Sequence, residues 1–195
     1  MSASRRPLAP RGLVSDQLRE EALLTLSSWT APTAGQEGLR QRYVDYLAAH
    51  ASGVLREDRP HHLTASTLVL SADGDAVLLT LHAKAQRWFQ FGGHLETRDA
   101  SLLAAAAREA SEESGLTGLV LDPVPVQLSD HEVPFCGEGV HHYDVRFVAV
   151  APADAVPAVS EESLDVRWFP VAELPNDDPD MLDLIELARR REVTF

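Results

Sequence analysis

The stretch SLLAAAAREASEESG, residues 101–115, constrains the fold more than any other part of the sequence. It combines strong helix propensity with a Ser-Gly pair that suits a helix end, and either Asp99 or Ser101 can cap its beginning. On a helix of 3.6 residues per turn, one face carries only small or aliphatic side chains, at Leu103, Ala106, Ala107 and Ala110. Because such a face lets a helix pack closely, the sequence predicts a helix buried against a sheet.

The segments that would form this sheet have the pattern of β-strands. LTASTLVLS and AVLLTL flank ADGDA, whose Asp73-Gly74 pair is a hairpin signal. HHYDVRFVAVA alternates between an apolar face and a polar face that carries His142, Asp144 and Arg146. VLDPVPVQL and LDVRWF are further strand candidates. Because strands and helices mix without a repeating βαβ rhythm, the predicted fold class is α+β with a mixed sheet.

Helical patterns lie at both ends of the chain. Residues 15–52 predict two amphipathic helices, the first capped by Ser15, and DMLDLIELARRR predicts a closing helix. The apolar stripe of that closing helix is expected at Met181, Leu184, Ile185 and Ala188. We expect a disordered tail at 1–12, an N-terminal helical extension at 13–57 and the main domain at 58–195. The stripes of the extension require a partner surface, either in the same chain or in a homodimer.

The composition argues against several classes of protein. The chain has 30 acidic and 17 basic residues, a formal net charge of −13, which argues against non-specific binding to nucleic acid or anionic membranes. The single cysteine, Cys136, excludes an internal disulfide framework. No segment approaches the ~20 consecutive apolar residues that span a bilayer, and we expect a cytoplasmic protein.

Three glutamates, Glu109, Glu112 and Glu113, are spaced i, i+3 and i+4 and therefore converge on one flank of the predicted helix. A solvated helix flank is the simplest interpretation of such a trio. However, acidic residues in a last turn oppose the helix dipole, and the trio has no lysine four residues away. Clustered carboxylates without positive partners are what hard divalent cations such as Mg²⁺ require. The spacing thus favours a cation site.

The stretch GGHLETRDASLLAAAAREASEESGL resembles the signature of the Nudix hydrolases, G-x5-E-x7-R-E-U-x-E-E-x-G-U, in which U is aliphatic. Gly93 matches the first glycine. The second half is matched with the correct spacing by Arg108-Glu109, Glu112-Glu113, Gly115 and Leu116, with Ala110 as a small stand-in for the aliphatic position. The order of the elements in residues 62–175 is also similar to the family. The resemblance implies a mixed β-sheet sandwiched between helices, an α/β/α arrangement.

The loop between the two halves departs from the signature. Asp99 stands where the family has a glutamate, and eight residues rather than seven separate it from Arg108. In the family, that glutamate supports the loop by pairing with the arginine. We expect the helix to begin one residue late and Asp99 to reach Arg108 all the same.

The resemblance implies metal-dependent hydrolysis of a diphosphate linkage in a nucleoside diphosphate derivative, such as a nucleoside triphosphate or a nucleotide sugar. The implied catalytic and metal-binding residues are Glu109, Glu112, Glu113, Arg108 and Gly93, the last through its carbonyl. The implied cofactor is Mg²⁺ or Mn²⁺. A further metal-binding glutamate is expected shortly before the last strand, where Glu162 is the candidate and Glu161 the alternative.

Candidates for contacting the substrate lie near the glycines and on the polar strand face. That face is too polar for a core, and we expect it to line a cleft or meet solvent, with Arg146 available to a phosphate. The candidate set is Arg146, His142, Asp144, His94 and Trp88. Ordinary packing or ion pairing is the alternative for each of them.

Two other functions of Nudix-like proteins compete with hydrolysis. A non-catalytic nucleotide-metabolite sensor usually loses carboxylates from the signature and carries a DNA-binding segment, whereas this chain keeps all three and has about 20 residues after Pro175. An isoprenoid-diphosphate isomerase uses a cysteine near the signature, whereas Cys136 lies some 20 residues beyond it. Hydrolysis of a small-molecule diphosphate, without nucleic acid or membrane partners, is the expected function.

Overall fold

The computed structural model describes residues 11–57, 61–134, 137–160 and 163–191. The helices in these ranges are α1 (Arg11–Ser28), α2 (Ala34–Ala49), α3 (Leu102–Ser114) and α4 (Pro179–Arg189). The strands are β1 (His61–Leu70), β2 (Ala76–His82), β3 (Arg87–Phe89), β4 (Phe91–His94), β5 (Val120–Leu121), β6 (Gln127–Glu132), β7 (His141–Val150) and β8 (Ser163–Pro170). Among the described residues, no helix combines the length and the apolar character that a membrane crossing demands.

The strands form one mixed sheet around β1 and β7. These two strands run parallel, from His61 opposite His141 to Leu70 opposite Val150. The remaining pairs are antiparallel: β2 and β4 join β1, β5 and β6 join β7, and β3 and β8 join β2. Gly74 has a φ of 73° in the turn between β1 and β2, as the hairpin signal predicted.

Helices cover both faces of this sheet. On one face, the core joins α1, α2 and α3 to Leu63, Ala65, Val145 and Phe147. On the other face, α4 packs against Leu68, Leu70, Val148 and Val150, and its buried residues are the four predicted for its apolar stripe. Burying one such leucine, valine or phenylalanine side chain contributes roughly 1.5–3 kcal/mol, so both layers stabilise the sheet. The predicted α/β/α arrangement is confirmed.

The N-terminal helices pack on the sheet of their own chain. Trp29 Nε1 donates a hydrogen bond to the carbonyl of Pro125 at 2.6 Å, and the Tyr43 hydroxyl donates to the carbonyl of Ser129 at 2.7 Å. The apolar stripes of α1 and α2 belong to the same core cluster as β1 and β7. The surface that these stripes require is therefore supplied in cis, and a homodimer stays a prediction.

Helix α1 begins earlier than predicted. It includes Arg11, so Ser15 lies inside the helix and its prediction as an N-cap is wrong. The sequence between Arg11 and Ser15 contains no proline, so its backbone N–H groups can continue the helical hydrogen bonding. Residues 1–10 of the predicted tail lie outside the described residues. The boundaries of the extension and of the main domain stay predictions.

The buried face of α3 differs by about one residue from the predicted face. Its buried residues are Leu102, Ala105, Ala106, Ala110 and Ser114, whereas Leu103 and Ala107 are only partly buried. Four consecutive alanines leave the rotation of a helix undetermined, and the fully buried Leu102 decides it here. Ser101 caps the helix by accepting a hydrogen bond from the Ala104 N–H at 2.9 Å, and Gly115 ends it in the left-handed conformation with a φ of 69°.

Candidate active site

Two glycines of β4 create the space on which the site depends. Gly92 and Gly93 pair with Ser66 and Ala65 of β1. A Cβ atom at Gly92 would lie 2.3 Å from the Ser66 Cβ, and a Cβ atom at Gly93 would lie 2.7 Å from Glu109 Oε1. The absent side chain at Gly92 therefore allows the strands to approach, and the absent side chain at Gly93 allows a carboxylate to rest on the strand.

Glu109, Glu112 and Glu113 form the acidic flank of α3 above these glycines. Glu113 Oε2 accepts a hydrogen bond from the Gly92 N–H at 3.4 Å. The side chain of Glu109 is 14% exposed, whereas that of Glu112 is 51% exposed. The acidic flank thus extends from a sheltered carboxylate beside β4 to an open carboxylate at the surface, as the helical spacing predicted.

Arginine side chains contact the acidic flank. Arg108 Nη1 donates to Glu109 Oε1 at 2.9 Å and to Glu112 Oε2 at 3.2 Å. Arg98, from the loop before α3, donates through Nη2 to Glu112 Oε1 at 3.1 Å. The expectation that the trio lacks positive partners is therefore wrong, because it considered only lysines four residues away along the helix.

Asp99 ties the loop to α3 through Arg108. Its carboxylate accepts hydrogen bonds from Arg108 Nε and Nη2, both at 2.9 Å, and from the Glu96 N–H at 2.7 Å. Arg108 Nη2 also donates to the His94 carbonyl at 3.1 Å. Burial alone would raise the pKa of Asp99, but the hydrogen bonds from Arg108 and Glu96 outweigh burial and hold it below its ordinary value. The predicted contact between Asp99 and Arg108 is confirmed.

The polar face of β7 is buried where it was expected to be open. Asp144 and Arg146 are 3% and 5% exposed. Arg146 donates to Asp144 Oδ2 at 3.0 Å and to Gln127 Oε1 at 2.7 Å, and it forms an ion pair with Asp180 of α4 at 2.7 Å. The expectation of a cleft or a solvent-exposed face is wrong for these two residues, because their charges are satisfied inside the protein. Their predicted role in binding substrate stays a prediction.

His94 and His142 lie together, beside a third histidine that the sequence did not single out. Their ring centroids are 4.9 Å apart, and those of His62 lie 5.0 and 4.8 Å from them. Burial, followed by the neighbouring histidines, lowers the pKa of His94 to about 4 and that of His142 to about 3. Only the parallel pairing of β1 with β7 makes His62 a neighbour of His142, and the two His-His doublets were the sequence signal for it.

The remaining candidates lie elsewhere. Trp88 packs edge-on against Phe169 at 4.8 Å between ring centroids, and the Arg167 guanidinium lies 5.9 Å from its ring centre. These contacts are the packing alternative named for Trp88, and its role in binding substrate stays a prediction. Glu161 and Glu162 lie outside the described residues, as does Cys136.

The sequence profile of the NUDIX domain matches residues 60–188, which contain the sheet, both glycines and the whole acidic flank. The chain belongs to the NUDIX family. The matched domain and its hydrolase neighbours make it a Nudix-type hydrolase. No curated protein matches the chain significantly.

Solved structures share the fold of this Nudix chain. A NUDIX family hydrolase from Clostridium perfringens is 24% identical and has a TM-score of 0.54, over 65% of this chain and 95% of that one. An Ap4A hydrolase of C. elegans is 17% identical with a TM-score of 0.54, over 64% and 93%. The NUDIX domain of Shewanella oneidensis NrtR, complexed with ADP ribose, is 21% identical with a TM-score of 0.55, over 75% and 96%. At these identities the likeness establishes the fold.

Proposed function

We propose that this Nudix protein is a divalent-metal-dependent pyrophosphohydrolase that cleaves a diphosphate linkage in a nucleoside diphosphate derivative. The observation that carries the proposal is the acidic flank, in which three carboxylates share one flank of α3 and two of them lie against the glycines of β4. Glu109 occupies the space that a side chain at Gly93 would fill, and Glu113 contacts the Gly92 N–H. A nucleoside triphosphate or a nucleotide sugar is the proposed substrate class.

The acidic flank fits a hard divalent cation. Its carboxylate oxygens, with the Gly93 carbonyl, are the donors that Mg²⁺ and Mn²⁺ prefer. Glu112 is half exposed, and its ion pair with the exposed Arg98 is worth no more than about 1 kcal/mol, so a cation can displace that arginine. When bound, the cation polarises phosphoryl oxygens and lowers the pKa of an attacking water. Glu162, or Glu161 in its place, is the proposed further ligand.

The protein's own groups supply position and proton transfer. Asp99 holds Arg108, and Arg108 in turn holds Glu109 and Glu112, so the carboxylates are oriented before substrate arrives. A carboxylate of the acidic flank, or one near it, takes the proton from the attacking water. Because Arg146 is already engaged by Asp144 and its other partners, we assign neutralisation of the diphosphate to the metal site rather than to Arg146.

The proposal is tested with a panel of nucleoside triphosphates and nucleotide sugars in the presence of Mg²⁺ or Mn²⁺. At least one member is expected to yield a nucleoside monophosphate, together with pyrophosphate from a triphosphate or a sugar phosphate from a nucleotide sugar. Glu112→Gln and Glu113→Gln are each expected to lower kcat by roughly 10²–10⁴-fold, because each removes a charged oxygen from the site. The temperature at which these two variants unfold is expected to be unchanged or slightly raised. Glu20→Gln, the same change at an exposed position of α1, is the matched control and should leave kcat unchanged.

Two results would contradict the proposal. If the wild type is inert across the panel and yet binds a nucleotide such as ADP-ribose in calorimetry, the protein acts as a nucleotide sensor. If Glu113→Gln unfolds the protein, the acidic flank has a structural role in place of the catalytic one.

A further inference from the structure

Three histidines converge on the side of the sheet that α4 covers, and the acidic flank does not include them. We call His62, His94 and His142 the histidine cluster. One nitrogen of each ring lies within 4.8 Å of a nitrogen of each other ring. The ring centroids form a nearly equilateral triangle with sides of 4.8, 4.9 and 5.0 Å. Three imidazoles that meet at one point are a potential metal site.

The sheet holds the histidine cluster in place. His62 of β1 and His142 of β7 are direct partners in the parallel register. His94 of β4 lies opposite Thr64, two residues along β1 from His62. Because residues two apart on a strand share a face, the three rings project from the same side of the sheet. A site built on paired strands is more rigid than one built on loops, so its geometry does not depend on loop movement.

The dimensions of the histidine cluster suit a transition-metal ion. Zn–N bonds of about 2.0–2.1 Å in a tetrahedral site place three ring nitrogens roughly 3.4 Å apart and the ring centres about 5 Å apart. The ring centres already have this spacing. The nitrogens need to converge by little more than 1 Å from their upper limit of 4.8 Å, and rotations about the side-chain torsions can supply that movement.

Donor chemistry separates the histidine cluster from the acidic flank. Neutral imidazole suits Zn²⁺ and its neighbours in the first transition row, whereas carboxylate and carbonyl oxygens suit Mg²⁺ and Mn²⁺. His62 is fully buried, while His94 and His142 are partly exposed, so an ion in solution can reach the cluster. Three histidines with a fourth position open to water are a known ligand set for zinc.

We infer that the histidine cluster binds one Zn²⁺ ion, or a similar divalent transition ion, as a site separate from the acidic flank. The charges around it act in both directions. Exposed Arg56 adds positive charge near His94, and the ring of His131 lies 5.7 Å from that of His142. The carboxylate of Asp144 offsets this repulsion, because it favours positive charge at His142.

Strand β4 connects the two sites. The His94 side chain belongs to the histidine cluster, whereas the His94 carbonyl accepts a hydrogen bond from Arg108. Gly93, one residue earlier, lies beneath Glu109. Occupancy of the histidine cluster would therefore hold in place the strand against which the acidic flank rests.

The test is zinc binding by the full chain after it has been stripped of metal and returned to buffer with excess Mg²⁺. Isothermal titration calorimetry is expected to give one Zn²⁺ per chain. Co²⁺ used in place of Zn²⁺ is expected to give the intense visible bands of a four- or five-coordinate site. Because this spectrum is recorded on the wild type, it does not depend on the folding of any variant.

His94→Gln and His142→Gln remove partly exposed ligands and are expected to weaken Zn²⁺ binding at least about 100-fold, more than the loss of a group that only supports a ligand. His82→Gln is the matched control, because His82 lies on β2 outside the histidine cluster. Glu112→Gln is expected to keep the wild-type zinc affinity while it loses hydrolytic activity. This inference and the proposed function can therefore be tested separately.

Four results would overturn the inference. The first is failure of the wild type to bind Zn²⁺, and the second is zinc binding that survives in both cluster variants. The third is a Co²⁺ spectrum with only the weak bands of an octahedral site. Loss of zinc binding in Glu112→Gln would also overturn it, because zinc would then occupy the acidic flank.

Discussion

The acidic flank and the histidine cluster both gather like side chains beside β4, but they are assembled by opposite means. The acidic flank belongs to one helix, and the spacing i, i+3 and i+4 is sufficient to bring its glutamates together. The histidine cluster belongs to three strands, and its members become neighbours only through the register of β1 with β4 and β7. A site made within one helix can therefore be found in a sequence, whereas a site made by strand pairing requires the topology.

The two regions also differ in how their charges are compensated. On the acidic flank, Glu112 pairs with Arg98 and Arg108 while its own side chain is 51% exposed. Beside the histidine cluster, the side chains of Asp144 and Arg146 pair with each other at 4% and 6% exposure. An exposed ion pair contributes little, whereas breaking a buried one leaves an uncompensated charge. Glu112 can therefore exchange its exposed partner Arg98 for a cation, whereas the buried pair cannot exchange partners.

The largest effect that this comparison predicts is on stability. Arg146→Ala is expected to lower the free energy of unfolding by about 3–5 kcal/mol, because Asp144 stays buried without its cation. Arg87→Ala, which removes a half-exposed ion pair with Asp178, is the matched control and should cost less than about 1 kcal/mol. Denaturant unfolding measures both. Equal losses in the two variants would mean that burial does not distinguish the two kinds of pair.

The two glycines of β4 provide a sharper version of the comparison. Gly92→Ala is expected to destabilise the protein by about 1–3 kcal/mol, because its Cβ would meet the Ser66 backbone at 2.7 Å. For Gly93→Ala the nearest atoms are at the end of the Glu109 side chain, so this variant should cost less stability but raise the Mg²⁺ concentration needed for hydrolysis. Unfolding and metal titrations of both variants separate the two effects. The same result for both glycines would contradict the assignment of one to the sheet and the other to the site.

The link between Asp99 and Arg108 predicts a pH-dependent contribution. The lowered pKa of Asp99 means that its stabilising effect is present above its ordinary pKa of about 3.9 and is lost as the pH falls through the lowered value. Asp99→Asn is expected to cost about 1–2 kcal/mol at pH 7, and the difference from wild type should shrink below pH 4. Urea unfolding at several values between pH 7 and pH 3 measures this difference in the free energy of unfolding. The exposed Asp154→Asn is the control, and a pH-independent difference for Asp99→Asn would refute this account.

The smallest predicted effect concerns Arg98. Because Arg98 competes with a cation for Glu112, Arg98→Ala is expected to lower the half-saturating Mg²⁺ concentration by about two- to fivefold, the equivalent of an exposed ion pair. Metal titrations of the hydrolysis rate measure the change. Arg87→Ala removes an arginine that pairs with Asp178 instead of the acidic flank, and it should leave the half-saturating Mg²⁺ concentration unaltered. A higher magnesium requirement in Arg98→Ala would show that Arg98 supports the site instead of competing for it.

Local features of the fold and the site were predictable from the sequence. The Asp73-Gly74 hairpin, the apolar stripe of α4, the acidic flank and the contact of Asp99 with Arg108 each depend on residues close together in sequence or on one signature. Short-range spacing determines such features, since the geometry of a helix or a turn is known in advance.

Features that depend on distant partners were not predictable. Four alanines in α3 are equivalent until the position of the sheet selects Ala105 over Ala107. The ion pair of Arg146 with Asp180 could not be foreseen, because Asp180 comes from the closing helix. His62 became part of a cluster only through parallel strand pairing. In each case the missing information was which element packs against which.

The parallel pairing of β1 with β7 also governs when the chain can fold. His61 pairs with His141, which is 141 − 61 = 80 residues later, and β5 and β6 attach to β7 in turn. Until β7 has been synthesised, the core around α1, α2 and α3 lacks Val145 and Phe147. Folds dominated by such non-local pairs form in milliseconds to seconds, more slowly than those with local contacts. A nascent or truncated chain that ends before β7 therefore exposes apolar surface, and we expect it to aggregate unless a chaperone shields it.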